Sequence, residues 1–274
     1  MQYPNVLQLE TTGACNASCS FCPHAAIPGQ QQARMDEWLF RKIVKELTTW
    51  PIPPRICPFL TNEPFADARM AAWCEYINLW LPNSELTFFT NGSLFGGKKL
   101  GDLANVRNVA SVFLSLHHSN QADYEAELGI PWEKTLASIR LFLRWNNRED
   151  WAREVRLLRV QDGDAAKDAA FLAFCEQEFP GVPVQLSYRY NWKGDLESPY
   201  PAHVLDIICP RHNSMCVLAS GRVALCCMDH AGQYALGDAN TETLAEIYNG
   251  ARAVAYRTRT KRESVPCLSC NMCG

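Results

Sequence analysis

The chain has no apolar run approaching the roughly 20 residues that cross a bilayer, so no membrane-spanning segment is expected. Its first residues, Met1-Gln2-Tyr3-Pro4-Asn5, lack the basic and apolar blocks of a secretory signal, which points to a cytoplasmic protein without a membrane partner. Charge of one sign is also missing. The 26 Lys and Arg residues stand against 29 Asp and Glu, a net charge of −3, so nucleic acid is not the expected partner. Internal repeats and low-complexity tracts are absent as well. With 47% hydrophobic and 20% charged residues over 274 positions, the composition is that of a globular protein rather than a disordered or coiled-coil one.

Cysteine is what the chain has in excess, with 13 residues. In a cytosolic setting a disulfide framework is not expected, because thiols there are kept reduced. The placement is uneven. Three fall at Cys15, Cys19 and Cys22, and a second group comprises Cys209, Cys216, Cys226, Cys227, Cys267, Cys270 and Cys273. Only Cys57, Cys74 and Cys175 lie between, scattered as small buried hydrophobes would be. Two clusters separated by a cysteine-poor middle suggest two metal sites.

Between the clusters, strand-like runs alternate with segments of helical period. Strands are expected at Val6–Leu9, Ile56–Leu60, Leu86–Thr90, Val112–Leu116, Val155–Val160 and Val184–Tyr188. Helices are expected after Asp36, over Asp67–Trp80, Trp132–Trp145 and Ala165–Phe179. Six such alternations predict an α/β fold, a parallel sheet curved into a partial barrel. Ligands gather at the carboxyl ends of such strands, and polar residues collect there: Thr61-Asn62-Glu63, Thr90-Asn91-Gly92, Ser115 and His117. A Gly- and Pro-containing stretch from Gly194 to Pro201 places a boundary near residue 195.

Three thiolates within eight residues, directly after the first strand, can wrap an iron–sulfur cluster and leave one of four irons open. Packing on one helix face would also explain the spacing, but Gly13, Asn16 and Pro23 disfavour a regular helix there. A closed zinc site would require a fourth ligand. The run Cys15-x3-Cys19-x-Phe21-Cys22 resembles the signature of the radical S-adenosylmethionine (SAM) superfamily. The resemblance implies a partial (β/α)6 TIM-like barrel over residues 1–195. It also implies a 4Fe–4S cluster on Cys15, Cys19 and Cys22, with SAM on the open iron, cleaved by one electron to a 5′-deoxyadenosyl radical. Asn62-Glu63-Pro64 is similar to the family's Gly-Glu-Pro segment for the methionine ammonium, with Asn62 in place of glycine. Phe21, Asn91, Ser115 and His117 are the further SAM contacts the resemblance implies. The usual electron donor would be a flavodoxin or ferredoxin.

Two cysteines of the second cluster sit on a predicted hairpin, Val217-Leu218-Ala219 and Gly221 to Leu225, and after a short helix from Leu244 to Tyr248 the terminal Cys267-x2-Cys270 would close a long loop onto it. Gly221-x4-Cys226-Cys227-x-Asp229, then Leu236-Gly237-Asp238, then Cys267-x2-Cys270 resembles the C-terminal extension called SPASM, or its shorter twitch form. This implies a small second domain, residues 196–274, holding one auxiliary 4Fe–4S cluster on Cys209, Cys226, Cys267 and Cys270. Cys227 competes with Cys226 as a ligand or serves as a hydrogen donor to substrate; Cys216 is a second donor candidate and Cys273 a spare ligand. Taken alone, the tail fits zinc about as well as iron.

Compact members of the superfamily imply a small polyol or aminosugar substrate, oxidised or epimerised. Peptide maturation is the alternative; with the first strand starting at Val6, no leader-gripping domain is expected before it. An iron–sulfur electron carrier would leave the six strand–helix units unexplained, and a zinc-binding module would leave the first cysteine motif unexplained. Tyr190 and Trp192, just past the sixth strand, stand where a substrate would lie.

Overall fold

The computed structural model describes residues 1–201, 209–258 and 270–271. Six strands, β1 (Val6–Leu9), β2 (Arg55–Cys57), β3 (Leu86–Thr90), β4 (Val109–Ser115), β5 (Ala152–Gln161) and β6 (Val184–Tyr188), pair in parallel in chain order. Three more, β7 (Ser214–Val217), β8 (Arg222–Ala224) and β9 (Gly237–Asp238), extend the same sheet from the β1 edge. The order β6-β5-β4-β3-β2-β1-β7-β8-β9 leaves the sheet open, a partial barrel. β7 lies parallel to β1, with Val6 opposite Ser214 and Gln8 opposite Cys216, and β8 and β9 follow antiparallel. The sheet therefore continues across the boundary expected near residue 195.

Helices α1 (Glu37–Leu47), α2 (Met70–Trp80), α3 (Gly97–Leu103), α4 (Gln121–Leu128), α5 (Trp132–Glu149) and α6 (Ala165–Glu178) accompany the parallel strands. Asp36 caps α1 by accepting from Trp38 N, and Leu39, Phe40, Ile43, Val44 and Leu47 form its buried face. Phe40 stacks on Trp73 of α2 with ring centroids 4.0 Å apart. Two short helices, α7 (Leu244–Asn249) and α8 (Ala251–Arg257), complete the described chain; Thr243 and Glu246 form a capping box that starts α7. No described helix is long and apolar enough to cross a membrane.

Some edges differ from the sequence expectation, each for a local reason. β2 ends at Cys57 rather than Leu60, because Pro58 has no N–H for the ladder and Leu60 N donates to Asn62 Oδ1. α2 starts at Met70 rather than Asp67, whose carboxylate holds Arg69 instead. The hairpin strands start earlier than expected, at Ser214, and end at Ala224. α3 and α4 were not expected. α3 contains Gly97 and Gly101, poor helix formers, and only Tyr124 and Leu128 of α4 are buried, too few to show a period.

Candidate active site at the carboxyl ends of the strands

The first cysteine loop leaves β1 between two close approaches. A Cβ on Gly13 would lie 1.9 Å from the Gln30 carbonyl oxygen, so only glycine lets the loop pass. His24 Nε2 meets Gly13 O at 2.6 Å. Gln31 clamps Cys15, accepting from its N–H at 3.2 Å and donating to its carbonyl at 3.0 Å. On the other side the loop rests on the end of α4, where Ser18 N donates to Leu128 O and Ser20 N to Glu127 O. Gly129 sits at φ +70°, and a Cβ there would lie 2.4 Å from Ser18 Oγ.

Glu127 organises this side. Its carboxylate accepts from Ser20 Oγ at 2.6 Å, faces His118 Nε2 at 2.6 Å, and lies 3.5 Å from Arg189 Nη1. Those bonds, the His118 one first, hold its carboxyl down to about 2. Asn16 ties the loop to the turn after β3: Asn91 Nδ2 donates to Asn16 Oδ1, and Asn16 Nδ2 to Ser93 Oγ.

Above the strands and within the partial barrel lies a cavity of ≈ 540 Å³, of a size typical for small-molecule sites. It is lined by Cys15, Cys19, Phe21, Cys22, Asn62, Glu63, Asn91, Ser115 and His117 together with Tyr190, Trp192 and Cys227. Of the expected SAM contacts only Pro64 is not on the wall; it is buried at the start of a short 3-10 turn beneath Glu63. Glu63 Oε1 accepts from Thr90 Oγ1 at 2.7 Å and Phe65 N at 3.1 Å, and Oε2 from Asn91 N at 2.8 Å. Burial nevertheless raises its carboxyl to about 7. His117 stands at φ +65°, its Nδ1 accepting from Val160 N at 3.0 Å. The ring is therefore the Nε2–H tautomer; burial pushes its pKa down to about 3 and keeps it neutral. Phe21 meets it edge-on at 4.8 Å, and Trp192 Nε1 donates to Phe21 O at 2.9 Å.

The three loop thiols fit a cationic guest. Burial raises Cys15 to about 12, Cys22 to about 11 and Cys19 well above its ordinary value, and Cys22 adds its charge to the rise at both Cys15 and Cys19. Deprotonating such a set takes a bound cation, as iron supplies. Asn62 Nδ2, buried beside them, has no hydrogen-bond partner and is left for a ligand acceptor. Among the described residues no group of three or more His, Cys, Asp or Glu is arranged to hold a single metal ion.

At the other cluster, Cys209 is half-buried in the turn before β7, and Cys226 and Cys270 pack against a small apolar group that includes Cys216, Cys227, Leu218 and Met228. The charge of Cys270 reaches Cys226 and Cys227, and that of Cys209 reaches Cys227, so four cysteines converge. Cys227 lines the cavity and Cys226 does not. Cys216 Sγ donates to Gln8 Oε1 at 3.1 Å, facing β1. Cys267 and Cys273 lie outside the described residues.

Sequence reasoning missed the groups that dock these parts together. Asn271 Oδ1 accepts from Asn191 N at 2.8 Å, and its Nδ2 donates to Arg189 O, Ser198 Oγ and Tyr200 O. Glu10, buried at the end of β1, accepts from Gln30 Nε2 at 2.7 Å and from Ala219 N of the hairpin at 3.1 Å. Their partners lie tens to hundreds of residues away, so no local pattern marks them.

Residues 209–274 match SPASM, an iron–sulfur cluster-binding domain. A curated S-adenosyl-L-methionine-dependent 2-deoxy-scyllo-inosamine dehydrogenase from Niallia circulans is 19% identical over 135 residues, 48% of this chain. The match spans 54% of that relative, about half its length. Among solved structures, BtrN in complex with AdoMet and 2-DOIA superposes with a TM-score of 0.68 at 16% identity, covering 98% of this chain and 94% of that one. SuiB of Streptococcus suis bound to precursor peptide SuiA gives 0.69 at 14% identity, covering 99% of this chain and 70% of that one. Both likenesses concern the fold.

Proposed function

The chain has the fold of the radical SAM enzymes and carries a SPASM iron–sulfur domain at its C-terminal end, and from that premise we propose that it cleaves SAM reductively and oxidises or epimerises a small polyol- or aminosugar-like metabolite. One observation carries the reading. A single ≈ 540 Å³ cavity is walled at once by Cys15, Cys19 and Cys22 and by Cys227 of the second cysteine group. Cys15, Cys19 and Cys22 would hold a 4Fe–4S cluster whose open iron would take SAM, and that pair would supply the radical chemistry needed to remove a hydrogen atom from an unactivated carbon. An auxiliary cluster on Cys209, Cys226, Cys267 and Cys270 is the reading of the second group.

The chain's own residues bind and shield. Glu63 Oε2 accepts one internal hydrogen bond and retains a lone pair for an incoming ammonium, which would also return the carboxyl to its charged form. Asn62 Nδ2 and the His117 Nε2–H are donors on the same wall. Phe59, Phe89, Leu158, Val160 and Met228 add apolar lining, which limits the access of water to a reactive intermediate. The likeness to the inosamine dehydrogenase supports a small substrate, and the cavity's size agrees with one.

The test is anaerobic. Reconstituted, reduced protein given SAM produces 5′-deoxyadenosine, and a Cys15→Ala/Cys19→Ala/Cys22→Ala variant does not. Absence of 5′-deoxyadenosine from fully iron-loaded wild type, or turnover that requires a peptide, overturns the reading. In deuterated solvent, deuterium at carbon marks epimerisation; a ketone without it marks oxidation. If Cys227→Ala retains full turnover, its role as hydrogen donor is excluded.

A further inference from the structure

The cavity has a second end. Val6 and Gln8 of β1 line it, and at the amino end of that strand so do Asn5, Asn213 and Arg211. Arg211 sits in the 3-10 turn Pro210–Asn213 that leads into β7, and Ser214, where β7 begins, is opposite Val6 at the foot of β1. The cysteine loop and Glu63 lie past the other end of the same strands. A ligand filling the cavity therefore meets iron-binding thiols at one end and a guanidinium at the other.

Arg211 is the one arginine, and Glu63 the one carboxylate, among the described residues on the cavity wall, and no lysine lines it. Glu63 is engaged by Thr90, Asn91 and Phe65. Among the described residues the Arg211 side chain has no hydrogen bond or ion pair; its carbonyl accepts from Ser214 N and Ser214 Oγ. Arg211 is exposed, at the open foot of the cavity. Beside it, Gln8 Oε1 is occupied by Cys216 Sγ, which leaves Gln8 Nε2 as a donor on the same wall. An arginine fork over apolar and amide surface is suited to a planar or tetrahedral oxyanion, which it binds through paired N–H groups. It repels a cationic amine.

Resting on the proposed function, we infer that Arg211 and Gln8 form an oxyanion subsite, and that the substrate is a small metabolite bearing a carboxylate or phosphate at the end remote from the reacting carbon. The subsite would reject a substrate whose far end is a free amine, and so separates this chain from enzymes of simple aminocyclitols.

Reaction of arginines with phenylglyoxal, followed peptide by peptide by mass spectrometry on the anaerobically reconstituted full chain with SAM, reads the subsite directly. Arg144, exposed on α5 and outside the cavity, is the internal reference. Phosphate or acetate at about ten times its dissociation constant slows labelling of Arg211 roughly tenfold relative to Arg144. Inositol and glucosamine do not. Whichever anion protects at lower concentration tells phosphate from carboxylate. Phosphate also raises the melting midpoint of wild type but not of Arg211→Gln. Labelling of Arg211 unaffected by both anions, protection equal at Arg144, or equal protection by inositol or glucosamine overturns the subsite. Formation of 5′-deoxyadenosine by the same wild-type sample reports the parent reading separately: anion protection without SAM cleavage sinks the function and leaves the subsite, and the converse sinks the subsite alone.

Discussion

Replacing Asn271 by alanine tests how the end of the chain is docked onto the barrel. The Asn271 side chain accepts from Asn191 N at 2.8 Å and donates to Arg189 O at 3.0 Å, Ser198 Oγ at 2.9 Å and Tyr200 O at 3.1 Å. Its two amide hydrogens can serve two of those three acceptors at full strength, so three hydrogen bonds are lost in total. At about 1 kcal/mol net each, docking weakens by about 3 kcal/mol, roughly a hundredfold in the equilibrium. Cys270 is the adjacent residue, so it is released with the loss. Iron and sulfide analysis after anaerobic reconstitution should give about eight irons in wild type, for two 4Fe–4S clusters, and about four in Asn271→Ala. Where some auxiliary iron remains, a chelator should remove it roughly a hundredfold faster. Asn271→Asp keeps the acceptor and loses the donors, and should fall between. Full iron content in Asn271→Ala, with both halves of the iron leaving at wild-type rates, would refute the docking argument.

Glu127 makes the cysteine loop sensitive to acid. Its folded carboxyl lies at about 2, below the ordinary 4.5, so its contribution is complete above about pH 4.5 and disappears as pH falls towards 2. The shift corresponds to about 3 kcal/mol. The urea midpoint of the metal-free chain should therefore exceed that of Glu127→Gln at neutral pH, and the two should converge in acid; a constant difference across that range contradicts the assignment. Arg159 is fully buried, bonded to Asp168, Asp162 and His117 O at 2.7, 2.8 and 2.7 Å. Arg159→Met takes the buried cation from Asp168, which keeps Gln161, and from Asp162, which keeps Lys167, and should cost about 3 kcal/mol in urea unfolding; a change below about 1 kcal/mol would show the pairs carry no net weight.

The short-range facts were legible in the residues. The spacing Cys15, Cys19, Cys22 states a three-thiol loop, and Asp36 followed by Leu39, Ile43, Val44 and Leu47 states a capped amphipathic helix, because both signals repeat within a few residues. The strand ends that carry Glu63, Asn91 and His117 were legible too, since apolar runs closed by polar residues mark them. Only the tertiary structure decided what those ends face. The parallel pairing of β7 with β1 makes the C-terminal hairpin part of the barrel's own sheet and puts Cys227 on the same wall as Cys15. Asn271 on Asn191, Glu127 on Ser20 and Arg211 at the far end of the cavity are likewise set by tertiary packing. Helical and strand periods repeat over two to four residues and are written along the chain. A contact between residues 80 or 200 positions apart depends on how whole strands pair and has no period to read.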